Sequence, residues 1–339
     1  MTNEFLKVSV IGTGTMSQII HLPMIKSIND RLKLDMIVDP YIDEGELQKL
    51  SHRFDCRWSR NISEVSSDLA VIVTPISSHF DVAKSLIANN KYILIEKPIA
   101  ITSQNLNDLI DLKNIGERKR IFCAHMRRFF KNNNIAKKVI NSGLLGKIKE
   151  VKIFEGNLYG WDRKYYSKDR DQKKKNVDEG VLFDVGSHSI DSTAFMFSDY
   201  LNDVLINKSI VDNIEFMSNI HICGEMLLRD QDNPVIFSAS FSNTTTLSNV
   251  IWIKGEKATL MISPKDSVKP KIRTNLNNDI IELDINLTSG NPFYLIYDNI
   301  INATKNNEKS VLDIENFIFT TKILESAFKN AELGEIEWL

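Results

Sequence analysis

Two short stretches carry side chains suited to moving a proton. The first is Glu96-Lys97-Pro98, directly after the apolar run Tyr92-Ile-Leu-Ile95. Such a run reads as a buried strand, and a charged pair at its end needs partners or a task. Lys97 can donate to a substrate hydroxyl, stabilise developing alkoxide charge and shuttle a proton. Taken alone, the tripeptide is equally well explained as a solvated loop. The second stretch runs Glu179-Gly-Val-Leu-Phe-Asp184-Val-Gly-Ser-His188. Asp184 and His188 are four apart and share a face if the segment is helical. Histidine, with an unperturbed pKa of about 6.5, suits proton transfer near neutrality. Asp184 can fix its tautomer or bind a substrate hydroxyl. A surface or capping pair has the same spacing. Alcohol oxidation needs a hydride acceptor, a proton acceptor and a positioned alcohol; His188 or Lys97 supplies the second.

The hydride acceptor is suggested by Gly12-Thr13-Gly14-Thr15-Met16-Ser17, after the apolar run Leu6 to Ile11. Gly12 permits a tight turn, and Gly14 lets the backbone approach a pyrophosphate. The helix beyond offers amide donors and a partial positive charge. Ser17 stands where the third glycine of the dinucleotide fingerprint falls, and a small residue still allows close packing there. Asp39 closes the next apolar run, where a carboxylate can bond the adenine-ribose hydroxyls and repel a 2′-phosphate. NAD(H) is therefore expected over NADP(H). An ordinary strand-to-helix turn, with Asp39 a turn residue before Pro40, is the plainer explanation of each piece alone.

The elements that must position these groups follow from periodicity. Apolar runs at 6–11, 34–38, 69–73, 92–95 and 120–124 alternate with helical patterns at 43–52, 78–88 and 103–115. A further helical pattern at 15–27 is expected to kink or reset at Pro23. Strands alternating with helices give a doubly wound parallel sheet, with ligands beyond the strands' carboxyl ends. The later pattern differs. Helices are expected at 133–142 and 180–197, and strands at 149–154, 216–222, 235–241, 250–253, 259–262 and 280–283, as in a mostly antiparallel α+β domain. The predicted fold class is thus α/β: a Rossmann domain over 1–123, then an α+β domain over 124–339. A final helix over 313–330, N-capped by Asp313, is expected to pack back on the first domain.

With 339 residues, 42% of them hydrophobic and 25% charged, the composition is that of a globular chain long enough for two cores. A net charge of −2 argues against nucleic acid or a membrane surface as partner. Cys56, Cys123 and Cys223 are scattered, which disfavours a disulfide scaffold or zinc ribbon and points to a reducing cytoplasm. No secretory signal, membrane-spanning stretch or metal-ligand spacing is seen.

In this order, the motifs resemble the glucose–fructose oxidoreductase / inositol dehydrogenase / rhizopine-catabolism (Gfo/Idh/MocA) family. The resemblance rests on Val10 to Met16, His21-Leu-Pro23, Asp39, Thr74-Pro75 with His79, and Glu96-Lys97-Pro98. It continues with Arg127-Arg128-Phe129, Ser142 to Gly146, Asp184 to His188 and Gly255-Glu256-Lys257, and so spans nearly the whole chain. It implies a Rossmann domain followed by a large open sheet that often forms a dimer face, hence a homodimer or homotetramer. It implies catalytic positions at Lys97, Asp184 and His188. Thr74, Pro75, His79 and Glu96 would line the nicotinamide side, and the peptide before Pro98 would be cis. Ser17, Met126 and Glu179-Gly180 depart from the family pattern, the last two at positions expected to alter substrate contacts.

The substrate implied is a small carbohydrate. Residues 161–178 hold seven basic and four acidic side chains, with Trp161, Tyr165 and Tyr166. The segment could stack on a sugar face and meet a carboxylate or phosphate; a solvated charged loop explains it too. His125 and Arg127 are further candidate substrate contacts, His125 equally a core histidine. Two other activities suit the fold: a glycosidase using bound NAD⁺ for transient oxidation, and a non-catalytic NAD-responsive regulator.

Overall fold

The computed structural model describes residues 5–89, 92–115, 120–158, 180–212, 217–283 and 290–336. The chain forms two compact units, Met1–Met126 with Gly290–Ile318, and Arg127–Ser289 with Phe319–Leu339. The expected boundary at 123/124 is thus passed by three residues, and the chain re-enters the first unit at Gly290.

The first unit is built on six parallel strands: β1 (Leu6–Ile11), β2 (Leu32–Val38), β3 (Arg57–Ser59), β4 (Leu69–Ile72), β5 (Tyr92–Ile95) and β6 (Arg120–Cys123). Their order is β3-β2-β1-β4-β5-β6, every pair parallel. β1, β4 and β5 are short and apolar because both faces of the sheet are covered. On one face, Ile11, Ile72, Ile95 and Cys123 join a core with Val82, Leu86, Leu106 and Leu109. The first unit's helices include α2 (Glu44–Phe54), α3 (Ile76–Leu86) and α4 (Ser103–Asn114), and those last four residues come from α3 and α4. The strands end level: Ser59 pairs Val38, Val38 pairs Ile11, Ile11 pairs Ile72, Ile72 pairs Ile95 and Ile95 pairs Cys123. The direction of winding reverses between β1 and β4, the point where doubly wound sheets bind ligands.

The helical pattern over 15–27 is interrupted by a π turn at Ser17–His21, followed by α1 (Leu22–Ser27) with Pro23 in its first turn. Pro23 has no N–H for the preceding turn, and the wider π turn accommodates that loss.

The second unit holds a nine-stranded sheet of order β14-β13-β12-β11-β7-β10-β9-β8-β15. Its members are β7 (Ile148–Gly156), β8 (Leu201–Val211), β9 (Asn219–Leu228), β10 (Val235–Ser242), β11 (Val250–Gly255), β12 (Ala258–Ile262), β13 (Lys271–Thr274), β14 (Ile280–Glu282) and β15 (Ala331–Leu333). Among the described residues, only β10–β7 and β15–β8 pair in parallel. The mostly antiparallel sheet is therefore as expected, but β8, β13 and β15 were missed. In β8, two register shifts break the alternation of buried and exposed residues that would have revealed it.

The C-terminal expectation needs correction. Residues 314–317 form a 3-10 turn, and the α-helix is Ile318–Lys329. Asp313 makes no side-chain cap; it takes a bidentate bond from Arg120, at 2.8 and 2.9 Å, and accepts from Ser310 N at 2.7 Å. A helix over Pro292–Asn306 also escaped prediction, although Asn291 caps it by accepting from the Phe293 and Tyr294 amides. Among the described residues, no helix is long and apolar enough to cross a membrane.

Two glycines in the first loop play different parts. Gly12 has φ +91°, and a Cβ there would lie 2.5 Å from the Val73 carbonyl oxygen. A Cβ on Gly14 meets nothing within 4 Å. Gly12→Ala should therefore lower unfolding stability by about 2 kcal/mol or more. Gly14→Ala should leave it within about 0.5 kcal/mol. Urea unfolding of both variants checks this; equal losses would contradict it.

Candidate active site

The level strand ends bring the residues singled out in the first unit to one edge of its sheet. Gly12 N donates to Val38 O, Val73 N to Ile11 O and Glu96 N to Ile72 O, so the ladders persist to the point where each loop leaves. Thr13 is buried, Thr15 and Met16 open the helix, and Gly14 is exposed.

Asp39 has a second task beside the one expected. Its Oδ2 accepts from Thr13 N at 2.9 Å and Thr13 Oγ1 at 2.8 Å, and its Oδ1 from Tyr41 N at 3.0 Å and Ile42 N at 3.3 Å. A carboxylate accepts about four such bonds. The glycine loop and the β2 turn are therefore tied together by this one side chain, and its negative charge stays at the loop.

His79 is buried in α3 and bridges two neighbouring loops. Its Nδ1 lies 2.9 Å from Pro98 O and its Nε2 2.9 Å from Thr74 O. Pro75 caps α3, and Ser78 Oγ donates to Thr74 Oγ1 at 2.8 Å. The Lys97-Pro98 peptide is cis, as the family resemblance implied.

Glu96 is buried rather than facing water. Its Oε1 accepts from His21 Nε2 at 2.8 Å and its Oε2 from Lys97 N at 2.8 Å. His21 Nδ1 lies 2.7 Å from Tyr297 Oη. Burial pushes the Glu96 pKa up, but the hydrogen bond and charge of His21, with the charge and N–H of Lys97, hold it below the usual carboxylate value. Tyr297 stays protonated: burial, then the charge of Glu96, raise its pKa well above 10. Sequence reasoning noted His21 only within a motif and missed Tyr297, which lies 276 residues away along the chain.

In the second unit, Asp184 lies on a π turn at Leu182–Gly186 and His188 in the first turn of the helix Ser187–Met196. Both glycine-loop and Asp184 segments thus contain π turns, which recur at functional sites. From Val181 to Phe197 every residue is buried except Asp184, Val185 and His188. A helix buried on nearly all sides opens only where its ionisable pair lies.

Buried charges fix that helix. Arg127 NH1 and NH2 donate to Glu155 at 2.9 Å each, and Ser189 Oγ to Glu155 at 2.5 Å. Arg128 donates to Asp191 at 2.6 and 2.9 Å, and Thr320 Oγ1 to Asp191 at 2.9 Å. Asn133 donates to Ser192 at 2.9 Å. Arg127, expected at the substrate, is thus only 7% exposed and committed to Glu155. His125, the other such residue, is 1% exposed and stacked on Phe317 at 5.3 Å, the core position also weighed for it. Trp161, Tyr165, Tyr166 and Glu179 lie outside the described residues.

The strand order, the glycine loop at the winding reversal and the open nine-stranded sheet define a dinucleotide-binding Rossmann unit joined to an α+β unit. Residues 6–121 match the model of the oxidoreductase family with an NAD-binding Rossmann fold, and residues 134–261 match the GFO/IDH/MocA C-terminal domain. The chain belongs to the Gfo/Idh/MocA oxidoreductase family.

Among curated relatives, scyllo-inositol 2-dehydrogenase (NADP(+)) IolW of Bacillus subtilis is 25% identical over 201 residues, 57% of this chain and 52% of the relative. Glucose-6-phosphate 3-dehydrogenase of the same organism is 26% identical over 203 residues, 58% of this chain and 55% of the relative. The chain spans about half the length of the curated relatives it matches. The fold is shared with WlbA dehydrogenase from Bordetella pertussis, solved in complex with NADH and UDP-GlcNAcA. Its TM-score is 0.76 at 19% identity, over 97% of this chain and 96% of that one. A super-repressor mutant of Gal80p from Saccharomyces cerevisiae has a TM-score of 0.74 at 17% identity, over 96% of both chains.

Glu155 yields a prediction about acid. Burial raises its pKa, but the charge and hydrogen bonds of Arg127, the Ser189 hydroxyl and the charge of Lys265 outweigh this and hold it below the usual value. A folded-state pKa below the unfolded value of about 4.3 means stability that is present above that pH and lost as pH falls through the folded pKa. Urea midpoints should be flat above about pH 5 and fall in acid. Glu155→Gln should flatten the acid fall and cost about 3–5 kcal/mol at neutral pH, because Arg127 is left uncompensated. An unchanged acid profile in the variant would contradict this.

Proposed function

We propose that this chain is an NAD(H)-dependent dehydrogenase. It moves a hydride between nicotinamide and a secondary alcohol or ketone of a sugar, sugar acid, polyol or nucleotide-sugar. The observation that carries this reading is the empty space beside Gly14 at the winding reversal, on the sheet edge from which Thr74, Glu96 and Lys97 also emerge. Residues 12–16 offer backbone to a pyrophosphate. Asp39 stands on the adenosine side, and Thr74, Pro75, His79 and Glu96 on the nicotinamide side. NAD(H), when bound, supplies the hydride acceptor or donor. Lys97 donates to the substrate oxygen and steadies its developing charge. His188 takes the hydroxyl proton, and Asp184 orients His188 or binds a neighbouring hydroxyl. Because four protein donors occupy Asp39, its preference for NAD(H) over NADP(H) acts mainly through charge.

Substrate recognition falls to the aromatic and basic segment 159–178, with Trp161 and Tyr165, rather than to the buried His125 and Arg127. Acidic or phosphorylated sugars should therefore outperform neutral polyols. We further propose a homodimer or homotetramer through the open face of the nine-stranded sheet. There Ile236 is 59% and Trp252 36% exposed, on strands β10 and β11; light scattering tests this. A cytoplasmic location is our reading from the cysteine usage.

The decisive assay mixes the protein with NAD⁺ and a panel of sugars and nucleotide-sugars. Net NADH formation, reduced by about 10²–10⁴-fold in Lys97→Ala, is the expected outcome. Hydrolysis without net NADH would replace the reading with the glycosidase, and binding without turnover with the regulator. Asp39→Ala should weaken NADH binding and narrow the gap between NADH and NADPH affinities; an unchanged ratio would remove Asp39 from cofactor selection.

A further inference from the structure

Three buried side chains from distant parts of the sequence form a continuous hydrogen-bonded line ending at the backbone of Lys97. Tyr297 Oη is 2.7 Å from His21 Nδ1, His21 Nε2 is 2.8 Å from Glu96 Oε1, and Glu96 Oε2 accepts from Lys97 N at 2.8 Å. His21 and Tyr297 are 0% and 1% exposed, and Glu96 8%. The proposed hydride reaction makes no use of His21 or Tyr297. The helix that carries Tyr297 belongs to the segment by which the chain returns to the first unit.

The direction of the line follows from chemistry. An ionised carboxylate only accepts hydrogen bonds, so His21 Nε2 must carry a proton. In a neutral imidazole, Nδ1 is then an acceptor matched by the Tyr297 hydroxyl; in a charged one, Nδ1 donates to Tyr297 Oη, and the contact at 2.7 Å serves either form. Each group is satisfied in this arrangement, whereas the opposite tautomer would set two lone pairs against each other at Glu96.

We propose that Tyr297 and His21 are positioning residues that hold the Glu96 carboxylate against the Lys97 amide and thereby fix where the catalytic lysine leaves the strand. This deepens the dehydrogenase reading and rests on it for the role of Lys97. The relay itself is a property of the folded chain. Tyr297 holds the far nitrogen of the His21 ring through one hydrogen bond. His21 supplies the N–H that fixes one carboxylate oxygen. The other oxygen is then left aimed at the amide of residue 97. Loss of the phenol should loosen the far end of the line without touching substrate or cofactor.

Tyr297→Phe keeps the ring and removes only the hydroxyl, so its effect on packing is small. Nitrogen NMR of the wild-type protein at about neutral pH should show His21 with Nε2 protonated. The reverse tautomer would overturn the proposal. In Tyr297→Phe, hydrogen exchange at the Lys97 amide should quicken by about tenfold, while exchange in strand β2 stays unchanged. No change at Lys97 would overturn it, and so would equal quickening throughout the sheet, as expected of a purely structural tyrosine.

With an active substrate, kcat should fall by about tenfold in Tyr297→Phe with KM and the NADH Kd within about twofold. Glu96→Gln should lower kcat further, and the double variant should match Glu96→Gln alone, because Tyr297 acts only through Glu96. Losses that simply multiply would overturn the proposal. Absence of any nicotinamide turnover in the wild type would sink the dehydrogenase reading, while the tautomer and the Lys97 exchange rate would still decide the relay.

Discussion

A single row of paired residues governs the first unit. Ser59, Val38, Ile11, Ile72, Ile95 and Cys123 lie in register across the six parallel strands, so every strand stops at the same level. The register is set by apolar side chains buried on both faces, and slipping any strand by one residue would exchange its two faces. Whatever follows a strand must therefore emerge on the same edge. Gly12, Asp39, Thr74 and Glu96-Lys97 are chemically unrelated, and this alignment is what makes them neighbours. Asp39 then ties the glycine loop to the β2 turn, and His79 ties the Thr74 loop to Pro98.

The second unit reaches a comparable fixity by a different route. Its helix at Ser187–Met196 is buried nearly all round but carries Ser189, Asp191 and Ser192 on its inward surfaces. Apolar packing alone would leave these groups unsatisfied, at a cost of about 1–3 kcal/mol each. Glu155 with Arg127, Arg128 and Asn133 meet them instead. Such ion pairs add little net stability compared with apolar groups of equal size, but breaking one is costly. Their effect here is specific placement: the helix cannot rotate without stranding a charge, and Asp184 and His188 stay on its open side.

Much of this was legible in the sequence. β1 is bounded as its apolar run predicts, and the parallel strands other than the short β3, with their helices, follow the alternation of periodicities. The glycine loop, Asp39 and the Glu96-Lys97 pair were visible because strand ends are marked by abrupt changes from apolar to polar residues. Long-range pairing was not legible. Nothing near Tyr297 signals a bond to His21, and nothing near Glu155 signals Arg127, since each partner reads as an ordinary polar residue in its own element. Arg127 was assigned to substrate for that reason. Strand β8 escaped because its bulges break the two-residue period, and the Pro292–Asn306 helix was not predicted although Asn291 caps it. The joint role proposed for Lys97, Asp184 and His188 comes from the family resemblance, since spacing alone left it open.

The central claim is that nicotinamide and a sugar meet Lys97, Asp184 and His188 together. A crystal structure of the protein soaked with NAD⁺ and the best-binding sugar tests this most directly. The account predicts the pyrophosphate against residues 12–16, and a sugar hydroxyl within hydrogen-bond reach of both Lys97 and His188. A dinucleotide bound elsewhere, or a sugar that touches neither side chain, would contradict it.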